Sequence, residues 1–225
     1  MTASSEVTLS MLDSSFRVTS ADDRMVDLVR LLWEPFLSDA EDVHDVALEV
    51  EGEGWRLHVA GEPPNRATDP WVVVSSLRNA LSRRAIADAR SLVPVHAAAV
   101  ERDGRFLVLS GPAQAGKTTL LLELLDHGWL LVTDDLVPVD PATLTATPFP
   151  KPLSVRDPAR WRRFARRWRV PAWLPQPSVG ALIPATAMPL TAATSYRPSL
   201  LVFSRYSPGE PPSQERLTRA HTVAW

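Results

Sequence analysis

The stretch GPAQAGKTT, Gly111 to Thr119, constrains this chain more than any other part of it. It fits G-x-x-x-x-G-K-[ST], a loop in which backbone N–H groups and a lysine wrap the phosphates of a nucleoside triphosphate. The pattern requires an apolar strand before it and a helix after it. Phe106 to Ser110 (FLVLS) supplies the strand and Thr118 to His127 (TTLLLELLDH) the helix, with Gly128 as its stop. The largely apolar run WLLVT then reads as a second buried strand, parallel to the first and ending at Asp134 and Asp135. An accidental match to the loop pattern has a probability on the order of one per cent at this length, before strand and helix are demanded. The expectation is therefore a βαβ unit built around a phosphate site.

Each residue type in the loop has a physical task there. Gly111 and Gly116 let the backbone turn and approach phosphate oxygens, with Pro112, Ala113, Gln114 and Ala115 spanning the gap between them. The helix N-terminus adds partial positive charge. Lys117 bridges the outer phosphates, Thr118 offers a hydroxyl to Mg²⁺, and Thr119 completes the stretch. A strand edge carrying Asp134 and Asp135 is where α/β sheets gather ligands, and two carboxylates can divide metal binding from proton acceptance. A solvated turn would use the same two aspartates, so the loop beside them is what gives them weight.

The ordered set VHAAAV, GPAQAGKTT and GWLLVTDDLVPVD resembles the C-terminal kinase domain of the bacterial HPr kinase/phosphorylase family, from about Leu92 to Asp140 and less closely through PFPKPLSVRD. The resemblance implies a mixed α/β fold with a P-loop core akin to phosphoenolpyruvate carboxykinase. It also implies ATP and Mg²⁺, and transfer of the γ-phosphoryl group to a serine hydroxyl of a peptide or protein. Carried over to this chain, His96 sits by the phosphates and the aspartates, Lys117 is catalytic, and Asp134 and Asp135 share base and metal duty. Thr118 and Asp135 are the expected metal pair, although the residues leave open which aspartate does which. The family's E-[VI]-R-G-L-G segment has no counterpart between Asp140 and Trp225, so kinase rather than phosphorylase activity is expected. Stand-alone relatives occur among peptide-modification genes, which makes a precursor peptide one candidate acceptor.

The first 91 residues read as a small α+β lobe and residues 92–225 as the kinase-like domain. Phe16 to Thr19 alternates as a strand, Ser20 with Asp23 signals a helix start before the apolar-rich run Met25 to Phe36, and the helix is expected to stop near Pro35. VALEVEGEGWRLHVA reads as a hairpin about Gly52 to Gly54, and Trp71 to Arg90 as a helix. HAAAVERDGRFLVLS is a second hairpin about Arg102-Asp103-Gly104. Leu200 to Tyr206 suggests a strand, and a helix is expected from about Leu217. That helix would stop at the apolar Trp225, so a further C-terminal piece is expected.

Arg156 to Arg169 holds seven arginines and one aspartate, +6 in a chain whose formal charge is −2, which leaves −8 on the rest. It reads as a helix with Trp161, Phe164, Ala165 and Trp168 on one stripe, either a solvated surface helix or a dock for an acidic peptide or polyanion. The overall charge argues against a globally basic nucleic-acid binder. Cys 0 excludes disulfides, thiolate catalysis and cysteine-held metals. No signal peptide and no run of ~18 apolar residues is present, so a cytoplasmic, non-membrane protein is expected, with a homo-oligomer left open. Two other readings stand beside the kinase: a nucleotide-binding regulatory module without transfer activity, and an NTPase coupled to nucleic acid.

Overall fold

The computed structural model describes residues 4–177, 180–211 and 213–218. Strands β1 (Ser5–Met11) and β2 (Ser14–Ser20) form a hairpin with Met11 opposite Ser14. Val7, Leu9, Met11, Phe16 and Val18 are buried while their neighbours are more open, the period-two pattern of a sheet covered on one face. Helix α1 (Asp23–Leu32) packs on these strands through Met25, Val26, Leu28, Val29 and Leu32. Its cap is Asp22, which accepts from the Arg24 N–H at 3.1 Å, and not Ser20. Ser20 is still in β2, where its hydroxyl donates to Leu48 O at 2.7 Å. The helix ends at Leu32 and a separate 3-10 turn, Glu34–Phe36, follows, because Pro35 has no N–H and its ring clashes with a carbonyl one turn back.

Strand β3 (His44–Glu51) runs parallel to β2 and turns at Gly52 into β4 (Gly54–Val59), with β5 (Asn65–Ala67) at the edge. The sheet order is β1-β2-β3-β4-β5. Helix α2 (Pro70–Asp88) opens on an Asp-Pro pair: Asp69 accepts from Trp71 N–H at 2.8 Å, and Pro70 takes the first helical position, where a missing N–H costs nothing.

Next come β6 (Val93–Val95), β7 (Ala97–Arg102) and β8 (Arg105–Ser110). The β7–β8 turn has Asp103 at φ 53° and Gly104 at φ 71°, two left-handed residues as a tight two-residue hairpin demands. Helix α3 (Lys117–Asp126), β9 (Leu130–Thr133), β10 (Val137–Asp140) and β11 (Thr145–Ala146) complete this stretch. Past Phe149 come β12 (Leu153–Val155), α4 (Pro158–Ala165), β13 (Ala181–Ile183) and β14 (Leu200–Phe203).

The chain forms two compact units, each assembled from separate segments. One holds the five-stranded sheet, α1 and α2, and residues Pro150–Leu190 with the β12–β13 pair and α4. Here Trp161 of α4 meets Trp71 of α2 edge-on at 5.5 Å, and the Trp71 and Trp161 indole N–H groups donate to Pro175 O and Leu182 O. The arginine-rich segment thus packs against α2 and the β12–β13 pair. Its helix stops at Ala165, short of the expected Arg169, and Pro150–Leu190 is not part of the body that carries the glycine loop, where a division at residue 91 alone would leave it.

The other unit comprises Val93–Phe149 and the chain from Thr191. Its four-stranded sheet has the order β14-β8-β7-β9, with β14, β8 and β9 running one way and β7 the other. The two strands flanking α3 are parallel, as expected, and β7 lies between them. A small sheet β11-β10-β6 adjoins through Val132, Val137, Ala146 and Tyr196, whose ring stacks on Phe106 at 4.7 Å. The expected strand from Leu200 ends at Phe203, Leu217 and Thr218 are not helical, and the rest of the expected last helix lies outside the described residues.

Candidate functional site

The glycine loop leaves the sheet at the end of β8. Gly111 has φ 145°, and a Cβ there would meet Ser204 O at 2.7 Å, so only glycine fits beside the chain emerging from β14. Ser204 N–H donates to Ser110 O at 2.8 Å and its hydroxyl reaches the same oxygen at 3.2 Å, fixing this close approach. Within the loop, Ala115 N–H donates to Pro112 O at 3.2 Å, Gln114 is left-handed at φ 67°, and Gly116 at φ 89° is the N-cap of α3. That N-cap residue has no side chain to cap the helix, so the loop leaves first-turn N–H groups without a capping side chain. Pro112, Ala113, Gln114 and Thr119 are exposed, whereas Ala115 and Lys117 are buried.

Lys117 folds back over the loop, its Nζ donating to Gly111 O at 2.9 Å and Pro112 O at 3.0 Å. A primary ammonium on loop carbonyls, next to uncapped helix N–H groups, concentrates positive potential at one spot. Thr118, one residue on, donates from Oγ1 to Asp134 Oδ1 at 3.2 Å. Asp134 is 2 % exposed at the end of β9.

The turn after β9 separates the two aspartates. Thr133 is fully buried, with its hydroxyl 2.6 Å from Leu136 O and 2.8 Å from Phe149 O. Asp135 takes a left-handed φ of 73°, a conformation aspartate tolerates better than most residues. Asp135 Oδ1 lies 3.0 Å from His96 Nδ1, and Asp135 O lies 3.1 Å from the same nitrogen. With two oxygens facing it, Nδ1 is the donor of this contact. The β6–β10 pairing, with Val95 opposite Val137, brings His96 here from 39 residues away.

His96, the loop from Gly111 to Thr119, Asp134 and Asp135 therefore belong to one unit, and four of these residues form two linked pairs: Thr118 with Asp134, and His96 with Asp135. Thr118 and Asp135 are the expected metal pair; the hydrogen bond of the Thr118 hydroxyl seen here goes to Asp134. Ser204 and Tyr206 were missed. Both follow β14, and Tyr206 Cβ lies 3.9 Å from where a Cβ on Gly116 would be. Their signal was the apolar run from Leu200, since a strand parallel to β8 ends at the same edge as the loop.

A hydroxyl and a carboxylate are the oxygen donors Mg²⁺ takes, usually together with phosphate oxygens and water. Among the described residues no group of three or more His, Asp or Glu side chains is gathered for a metal, so a cation here would complete its shell from a ligand and solvent. No helix of the described residues is long and apolar enough to cross a membrane. In comparisons with known proteins, no family model and no curated protein matches the chain.

Proposed function

We propose that the chain is an ATP-dependent kinase with a P-loop, HPr-kinase-like core that transfers the γ-phosphoryl group to a hydroxyl, serine being the expected one, of a peptide or protein. The observation that carries this reading is the pairing of two adjacent carboxylates with different partners beside a glycine loop: Asp134 with the Thr118 hydroxyl, Asp135 with His96. Beside the first pair, a switch or motor needs a polar or acidic group that orients a water. The second supplies the proton acceptor that a hydroxyl substrate requires.

The loop N–H groups and Lys117 would hold the phosphates of ATP, and Thr118 with Asp134 would hold Mg²⁺. Bound there, the ion would neutralise charge that develops on the transferred group. Asp135, 38 % exposed in its side chain, is the carboxylate open to an incoming hydroxyl, and it would take up the proton that hydroxyl loses. His96 donates to Asp135 and orients it.

The test is transfer of labelled γ-phosphate to serine-containing peptides, precursor peptides among them. The parent protein labels its acceptor, and Lys117→Ala and Asp134→Ala each lose about a hundredfold or more. Equal labelling by parent and variants overturns the reading. Tight ATP binding with no transfer to any acceptor favours a regulatory nucleotide-binding module instead.

A further inference from the structure

The arginine segment plays no part in the site above, and its chemistry points to a partner. From Pro158 to Gly209 the chain contains no acidic residue. Arg156, Arg162, Arg163, Arg166, Arg167 and Arg169 are all exposed, and Asp157, the one acidic residue in the sequence of this segment, caps α4 and lies 3.9 Å from Arg160. The side chains of Arg162, Arg166 and Arg169 have no ion pair or hydrogen bond among the described residues. Like charges one helical turn apart, as at Arg162 and Arg166, destabilise a helix. The segment tolerates this because Trp161, Phe164 and Ala165 are buried beneath it.

Two of the guanidinium groups are also held in place. Arg163 and Arg167 lie over the Phe164 ring at 5.6 and 4.8 Å from its centre. Arginines fixed on an aromatic ring lose less freedom when they bind, and their planar forks match carboxylates.

We propose that the exposed face of α4 and the turn after it dock an acidic peptide segment. From Arg162 to Arg169 five of eight residues are arginine, so a short segment of acidic residues can meet several of them at once. A long nucleic acid would also meet the rest of the chain, which carries −8, whereas a short acidic segment need touch only the arginines. Such a surface suits the recruitment of a peptide acceptor, but its test requires no phosphoryl transfer, so it fails or stands apart from the kinase reading.

The experiment follows the fluorescence anisotropy of a fluorescein-labelled Asp/Glu-rich peptide with the full chain. Binding weakens as salt rises, the triple variant R162Q/R166Q/R169Q loses about tenfold or more, and the triple Arg→Lys variant recovers much of the loss. Circular dichroism checks that both variants fold. Equal affinity of parent and Gln variant overturns the proposal. So does tighter binding of a single-stranded DNA oligonucleotide of the same charge, or an arginine-dependent dimer in sedimentation that the peptide does not dissociate.

Discussion

At Gly111 a glycine is required for two independent reasons, a φ of 145° and a backbone oxygen 2.7 Å from the place of a Cβ. Gly111→Ala is therefore expected to cost about 2 kcal/mol or more of stability, read from urea unfolding, whatever the ligand. Asp135→Asn makes the opposite probe, since asparagine keeps both the left-handed turn and the size while losing the proton acceptor. Transfer should fall sharply with unfolding unchanged, and an active Asp135→Asn would remove Asp135 from the chemistry. Three carboxylates outside the site contribute to the acid response. Asp22 is held below the ordinary carboxylate range by the Arg24 side chain, Asp88 by the Ser14 hydroxyl and then Arg84 and His44, and Asp140 by the Thr143 hydroxyl and the Ala142 N–H. With pKa lower in the folded state, their contribution is present above about pH 4 and is lost as pH falls through the folded values. The urea midpoint should drop on acidification from pH 5 to pH 3, and less so in the variant with all three changed to asparagine.

Elements form here where local chemistry and packing agree. The β7–β8 hairpin rests on Asp103-Gly104, so Gly104→Ala should cost about 1 kcal/mol in urea unfolding. Asp-Pro pairs start both α2 and α4, a signal as readable in the sequence as the glycine loop. Where sequence and structure part, another interaction competes for the same residue. Ser20 looked like a helix cap but is held in β2 by Leu48 O. Arg166 to Arg169 continue an amphipathic pattern, yet Arg167 N–H turns back to Phe164 O and the helix has already ended. Trp161 anchors α4 against Trp71, and Trp161→Ala should cost about 3–5 kcal/mol, with Trp161→Phe recovering part.

The whole molecule is assembled from crossing segments. Because Trp71 and Trp161 bury each other and bond to Pro175 O and Leu182 O, residues 1–92 expressed alone are expected to give a poorly dispersed NMR spectrum, sharpened on adding a fragment covering residues 150–190. A well-dispersed spectrum from residues 1–92 alone would show that the later segment is dispensable. Periodicity and turn chemistry made the two hairpins, α2 and the strand–loop–helix around Gly111 legible, since each depends on residues close in sequence. The glycine loop and the paired aspartates were likewise visible as residue types. Three features were not visible: which aspartate meets Thr118, that Ser204 closes on Gly111, and that Pro150–Leu190 completes the core begun by the first 92 residues. Each depends on strand order and on the direction a side chain takes from its backbone, here the left-handed turn at Asp135 and the parallel pairing of β14 with β8. Those are long-range choices, made only when the segments pack.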